Sequence, residues 1–336
     1  MNLVIYIPVL ASFLITLFLM PSWIKRAKQI GLLWVDMHKI SKENIAGSGG
    51  IVTILGFIIG VLLFAAYRVF YVQTTDYLIE IFAITTSILF LSSIGLVDDL
   101  LGWQKGGLSK KYRLIFIALA AIPLMAINAG KSTIAFPFLG VIDIGLFYPL
   151  ILIPLGIVGA TTTFNFLEGY NGLGAGQGVI ILSGLAVVSY VTGSAWLAII
   201  NLCLVASLLA FLHYNSVPAR VFPGDVLTYS IGGLIAMTAI LGNFEKIAVF
   251  FFTPYILETI LKSRGGLKKQ SFGVPNKDGT LSLAYKKFYG LEHIAIWLLP
   301  QLGFKSTEKN VVYSLRAFQV AIVILGFVIF REGIFI

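Results

Sequence analysis

The sequence predicts an all-α polytopic membrane protein. Hydrophobic residues make up 58% of the 336-residue chain and charged residues only 12%, with a mean hydropathy of +0.94. No water-soluble domain of this length tolerates such a composition on its surface. Apolar segments of about 20 residues, the length that spans the hydrocarbon, recur about ten times: 3–23, 46–66, 78–97, 111–129, 148–165, 175–193, 195–213, 225–242, 246–264 and 311–331. None alternates with a period of two, so helices are expected rather than a barrel. No repeat, low-complexity tract or soluble insertion interrupts them, which leaves residues 1–336 as a single membrane-embedded domain.

The first segment lacks a basic leader and a small-residue cleavage site and reads as a retained helix. With the N-terminus outside, the loops after segments 1, 3, 5, 7 and 9 are cytoplasmic. With their flanks they hold every Lys and Arg except Arg68, Lys131, Lys246 and Arg331. This bias places both termini outside and explains the net charge of +9 by orientation, without nucleic acid. The outer connections are short apart from 131–147, where Phe-Pro-Phe-Leu-Gly and Asp-Ile-Gly-Leu-Phe predict a small hairpin at the interface. The longest polar segment, about 265–310, carries Gly265-Gly266 and Pro275-Asn-Lys-Asp-Gly279. It continues into an amphipathic stretch, Leu281 to Leu302, expected along the membrane surface. Cys203 stands alone in an apolar helix, so neither an intrachain disulfide nor a cysteine metal site is expected.

Three polar clusters fall on the cytoplasmic side. Asp98-Asp99 ends the third segment. An aspartate at the bilayer centre costs about 2.5–3.5 kcal/mol, so the pair belongs at a helix end or in a polar cavity. Two solvated carboxylates capping a turn would be the plain reading; adjacent like charges forming a cation site is the functional one. Lys110, Lys111 and Arg113 follow, placed either to anchor the helix or to meet anionic phosphates. The second cluster, Asn165-Phe-Leu-Glu168-Gly169-Tyr-Asn171-Gly172-Leu-Gly174, puts Asn165 and Glu168 on one helical face. The glycines beyond let the backbone turn and approach a ligand. A plain helix-break-helix connector needs those glycines but not the asparagine and the glutamate. The third cluster is Asn215-Ser-Val-Pro218-Ala-Arg220-Val-Phe-Pro-Gly224-Asp225, in which Asp225 is either a simple N-cap or a ligand. Carboxylates, an asparagine and cations converging on one membrane face predict a Mg²⁺ and pyrophosphate site, because Mg²⁺ takes oxygen ligands and shares them with substrate phosphates. Mn²⁺ is the alternative metal.

These motifs resemble the polyprenyl-phosphate N-acetylhexosamine-1-phosphate transferases, membrane enzymes that move a sugar-1-phosphate from a UDP-sugar to a lipid phosphate and release UMP. The resemblance covers most of the chain. Asp98-Asp99 matches the family's paired aspartates, Asn165-x-x-Glu168-Gly-x-Asn171-Gly-Leu its second motif, and Asn215 through Asp225 its most distinctive stretch. Asp36-Met-His-Lys39 through Gly49-Gly50 is similar to its first cytoplasmic loop. The absence of adjacent histidines, Asn171 in place of an aspartate, and the Pro275–Phe288 pattern are similar to the eukaryotic and archaeal branch that starts N-glycan assembly with UDP-GlcNAc. The arginine-histidine cluster of the eukaryotic loop is missing, with Lys262, Arg264, Lys268 and Lys269 nearby as substitutes, and Glu168 departs from that branch.

The resemblance implies a metal held by Asp225 and Asn165, and Asp98 deprotonating or aligning the lipid phosphate for direct attack. Asp99 would support the metal or the cation network, the roles of the two aspartates being exchangeable. Lys111 and Arg113 are the candidate phosphate contacts, Arg220 is a substrate-binding candidate at the headgroup level, and Glu168, Gly169 and Asn171 lie near the uridine or amide-bearing part of the nucleotide sugar. A covalent aspartyl route is the mechanistic alternative. The implied partners are a UDP-N-acetylhexosamine, a polyprenyl or dolichyl phosphate and the bilayer, with a homodimer permitted. The place would be the cell membrane, or the endoplasmic reticulum in a eukaryote, with the site on the cytoplasmic face. The rival within the family is a UDP-MurNAc-pentapeptide phosphotransferase. A secondary transporter, the rival from another class, predicts carboxylates near the bilayer midplane and inverted sequence halves; a structural membrane scaffold leaves the ordered motifs unexplained.

Overall fold

Apolar segments fold as helices here because a bare backbone in hydrocarbon finds no water to bond. The protein is described from a computed structural model covering residues 3–136 and 140–335. In chain order the elements are α1 (Ile7–Ile30), β1 (Leu33–Val35), β2 (Asn44–Ala46), α2 (Gly50–Ala66), α3 (Leu78–Lys105), α4 (Lys110–Leu119) and α5 (Ile122–Ala126). There follow β3 (Thr133–Phe136), β4 (Gly140–Asp143), α6 (Ile153–Phe164), α7 (Leu173–Val191), α8 (Ala195–Asn215) and α9 (Asp225–Gly242). The chain continues through α10 (Glu245–Phe251), α11 (Thr253–Ser263), β5 (Val274–Pro275), β6 (Leu281–Ser282), α12 (Leu291–Gln301), α13 (Glu308–Ile329) and α14 (Arg331–Ile334).

Among the described residues eight helical segments are long and apolar enough to cross a membrane. The other two predicted spans, 111–129 and 246–264, are not single helices. Each is broken into two short ones, α4–α5 and α10–α11, with Pro123 and Pro254 in the first turn of the second member. Proline removes a helical N–H and its ring clashes with the preceding turn, so it starts a helix and ends the one before it. Ten uninterrupted spans are therefore not found. The hairpin expected in 131–147 is present, with β3 and β4 paired antiparallel from Thr133↔Asp143 to Phe136↔Gly140; its tip, Pro137–Leu139, lies outside the described residues. The expected amphipathic stretch is shorter as a helix than 281–302: Leu281–Ser282 pairs with Val274–Pro275 in a small hairpin, and Leu291–Gln301 is helical, with Glu292 and His293 buried in the protein.

The bundle closes around α8 and α9, whose apolar windows are 78% and 83% buried, against 22% for α1. Helix α9 is gripped by α3 on one side and α6 on the other. At Gly95 of α3 an added Cβ would lie 2.5 Å from the backbone of Asp225 and Val226. The two backbones are therefore in direct contact one turn before Asp98-Asp99. The loop before α9 is stitched to the loop before α2: Phe222 N–H donates to Ala46 O, Gly49 N–H to Phe222 O and Gly50 N–H to Pro223 O, at 2.8, 2.9 and 2.9 Å.

The α3–α9 contact predicts that Gly95→Ala forces the helices apart at a cost of about 1–3 kcal/mol, typical of overpacking. A thermal melt of the purified protein in detergent should show a lowered Tm; an unchanged Tm would mean that the contact is slack.

Candidate active site

Three helices meet at one end of the bundle. Asp98 and Asp99 come from α3 about two turns before its end, Asn165 from the turn closing α6, and Asp225 from the first residue of α9. Asp99 faces α9. Its Oδ1 accepts the Asp225 N–H at 2.8 Å and its Oδ2 accepts the Ser48 hydroxyl at 2.8 Å. The first N–H groups of a helix have no partner within it, so Asp99 caps α9 from another helix. Gly224, at the N-cap position, has φ +71 and offers no side chain; a Cβ there would stand 2.1 Å from Asp99 Oδ2. Asp225 is therefore not an N-cap, and its carboxylate is free for chemistry. Its Oδ1 accepts from Asn165 Nδ2 at 2.9 Å, and Asn165 Oδ1 accepts the Thr228 hydroxyl at 3.3 Å.

Asp98 is saturated with donors. Leu108 N–H reaches its Oδ1 at 2.8 Å, Tyr229 O–H its Oδ2 at 2.9 Å, and the Arg113 guanidinium stands 2.7 Å from Oδ2. The Asp225 carboxyl lies within hydrogen-bonding reach of Asp98. Two carboxylates in contact, one guanidinium and a nearby amide oxygen make an oxygen-rich, negatively charged donor set. It fits a hard divalent cation, with Asp225 and Asn165 as the residues able to hold it. Ser48 and Tyr229 were not singled out from sequence. Tyr229 lies one helical turn after Asp225, a spacing that could have pointed to it.

The structure brings together Asp98, Asp99, Arg113, Asn165 and Asp225, and holds other candidates elsewhere. Lys111 is exposed on the first turn of α4. Arg220 folds onto its own loop, its guanidinium 4.6 Å from the Tyr214 ring centre and donating to His213 O at 3.1 Å. Lys262 is spent on Phe166 O at 2.5 Å and on buried Glu258 at 3.6 Å. Arg264, Lys268 and Lys269 are exposed, Lys269 with its ammonium 5.0 Å from the Tyr285 ring centre.

Glycine at 169 matches φ +131. Beside it Glu168 turns inward, with Oε2 buried and unpartnered. Burial pushes its carboxyl up to about 8, against the pull of the Gly169 and Gly174 backbone N–H groups. Asn171 lies in a separate cluster: its Nδ2 donates to Asp36 Oδ2 at 3.0 Å and its N–H to Glu308 Oε1 at 2.9 Å. A cleft of about 410 Å³ opens beside this cluster between the first polar loop (Met37, Lys39, Lys42) and the last (Phe272, Tyr285).

A broken-helix bundle with a carboxylate-rich site at one end defines a multi-pass membrane enzyme. Residues 81–243 match the model of glycosyl transferase family 4. A Saccharolobus solfataricus protein, provisionally named UDP-N-acetylglucosamine–dolichyl-phosphate N-acetylglucosaminephosphotransferase, is 37% identical over 88% of each chain. A Dictyostelium discoideum protein of that name is 31% identical over 73% of this chain and 68% of its own. A phospho-N-acetylmuramoyl-pentapeptide-transferase of Halalkalibacterium halodurans is 30% identical over 76% of this chain and 81% of its own. The chain belongs to glycosyl transferase family 4.

Two outcomes test this geometry. Asp99→Asn keeps an acceptor for the Asp225 N–H and a partner for Ser48, whereas Asp99→Ala uncaps α9, a loss of about 0.5–2 kcal/mol. Thermal melts should rank the alanine variant well below the asparagine one; equal Tm values would deny the capping role. Glu168 holds a proton in the native state up to about pH 8 that the unfolded chain releases near 4.5. The native state thus binds more protons in that window, and stability falls as pH rises through it. Tm should drop between pH 6 and 9 in the wild type and drop less in Glu168→Gln; parallel curves would contradict the buried acid.

Proposed function

We propose that this enzyme transfers GlcNAc-1-phosphate from UDP-GlcNAc to a dolichyl or other polyprenyl phosphate, releasing UMP, in a Mg²⁺-dependent reaction on the cytoplasmic face, with both termini outside. The observation that carries the reading is the meeting of Asp98, Asn165, Asp225 and Arg113 in one cluster. The names of the relatives support the substrates, and the basic loops support the orientation. An apolar groove of about 1070 Å³ between α6, α9, α10 and α11 reaches Thr163, beside the turn that carries Asn165, and suits a long isoprenoid chain.

The chemical problem is to join two anions that repel each other in a low dielectric. A lipid phosphate oxygen attacks the sugar-bearing phosphorus, and the bond to UMP breaks as the new one forms. Mg²⁺ held at this site would supply positive charge against the diphosphate and the departing UMP. Asp225 and Asn165 supply its protein oxygens. Asp98, occupied by two hydrogen-bond donors and paired with the Arg113 guanidinium, aligns Arg113 rather than acting as a free base, and Arg113 holds the lipid phosphate. Catalysis is then positioning plus electrostatics. Arg264, Lys268 and Lys269 on the exposed last loop line the approach of the donor.

Membranes given labelled UDP-GlcNAc, Mg²⁺ and polyprenyl phosphate should move label into organic solvent, and EDTA should abolish the transfer. Full transfer in excess EDTA by metal-free protein would remove the metal from this account. In a donor panel, UDP-GlcNAc should serve and UDP-MurNAc-pentapeptide should be refused; the opposite preference would overturn the sugar while leaving the reaction class standing.

A further inference from the structure

A second group of buried polar side chains lies outside the carboxylate site. Asp36 and His38 come from the loop between β1 and β2, and Glu308 is the first residue of α13. All three are buried, at 2%, 8% and 8% exposure. One donor atom from each lies within 4.8 Å of the others. His38 Nδ1 stands 3.6 Å from Glu308 Oε1. That is too long for a hydrogen bond, yet close to the roughly 3.3 Å separating two donors that each lie about 2 Å from one tetrahedral ion.

Asp36 Oδ1 accepts the backbone N–H of His38 at 3.0 Å, and the nearest ammonium, Lys39 at 3.5 Å from Asp36, is shared with Glu43 at 3.1 Å. The Nε2 of His38 is buried without a partner. The ring is held by packing, 3.9 Å from Tyr170 and 5.5 Å from Phe272 between centroids. A buried imidazole beside two buried carboxylates, their donor atoms all within 4.8 Å of one another, is a donor set that one metal ion can share.

We propose that Asp36, His38 and Glu308 form a structural transition-metal site, with Zn²⁺ the best-fitting ion, distinct from the phosphate-handling site at the start of α9. The imidazole ligand disfavours Mg²⁺ and Ca²⁺, which take oxygen. Asn171 bonds both carboxylates through Nδ2 and its backbone N–H. The ion would thereby tie the first polar loop, the break between α6 and α7, and the start of α13 into one rigid wall.

The full chain, purified in detergent, stripped with a chelating resin, incubated with Zn²⁺ alone and desalted, should retain about one zinc per chain by elemental analysis. His38→Phe, which keeps the ring packing, and Glu308→Gln, which keeps an acceptor for the Asn171 N–H, should each retain less than about a tenth of that. Asp225→Asn should retain wild-type zinc. Added Zn²⁺ should raise the Tm of the wild type and leave that of the two ligand variants unmoved, the melt also verifying that each is folded. No retained zinc in the wild type, equal zinc in the ligand variants, or loss of zinc in Asp225→Asn would each overturn the site.

Discussion

The direct contact between the later part of α3 and the beginning of α9 is the constraint on which the site depends. Gly95 lets the two backbones touch. From there the chain geometry places Asp98 and Asp99, one turn further on, against the only part of α9 with bare N–H groups. Neighbouring carboxylates on one helix cannot point the same way, and they divide the work. Asp99 turns to the α9 backbone and to Ser48, while Asp98 turns to Arg113, Tyr229 and Asp225. One aspartate fixes the frame; the other enters the charge cluster. The loop bonds from Phe222 to Ala46 and from Gly49 to Phe222 hold the same junction from the opposite side, so Ser48 cannot drift from Asp99 without breaking backbone pairs.

A bundle that gathers carboxylates at its core end must balance them. Asp98 is met by Arg113, Glu258 by Lys262, and Glu168 keeps its proton to about pH 8. Removing one partner from such a pair leaves an uncompensated buried charge, which is why these substitutions should cost far more than exposed ones. Asp225 is the exception. Its contacts are another carboxyl and an amide, which is an unfavourable arrangement for stability and a favourable one for binding a cation.

The helical membrane class, eight of the ten expected spans, the 131–147 hairpin and the three clusters were legible in the sequence, because each is a local pattern of hydropathy or motif. The breaks in α4–α5 and α10–α11 were not legible by hydropathy, which measures composition and not hydrogen-bond continuity; Pro123 and Pro254 carried that signal. Lys262 looked available for a sugar although Glu258, one helical turn before it, is the i,i+4 partner that the spacing offered. Asn171 looked like part of the same site as Asn165, six residues away in sequence. The break after α6 sends it instead to Asp36 and Glu308. Such pairings join residues more than a hundred positions apart, beyond the reach of any spacing rule.

The central claim is that the contact between α3 and α9 builds a cation site that grips a diphosphate. The most direct measurement is the phosphorus hyperfine coupling of Mn²⁺, used as a spectroscopic surrogate for Mg²⁺, on the purified protein with UDP. The coupling should appear in the wild type and vanish in Asp225→Asn while that variant stays folded. An undiminished coupling in Asp225→Asn would contradict the account.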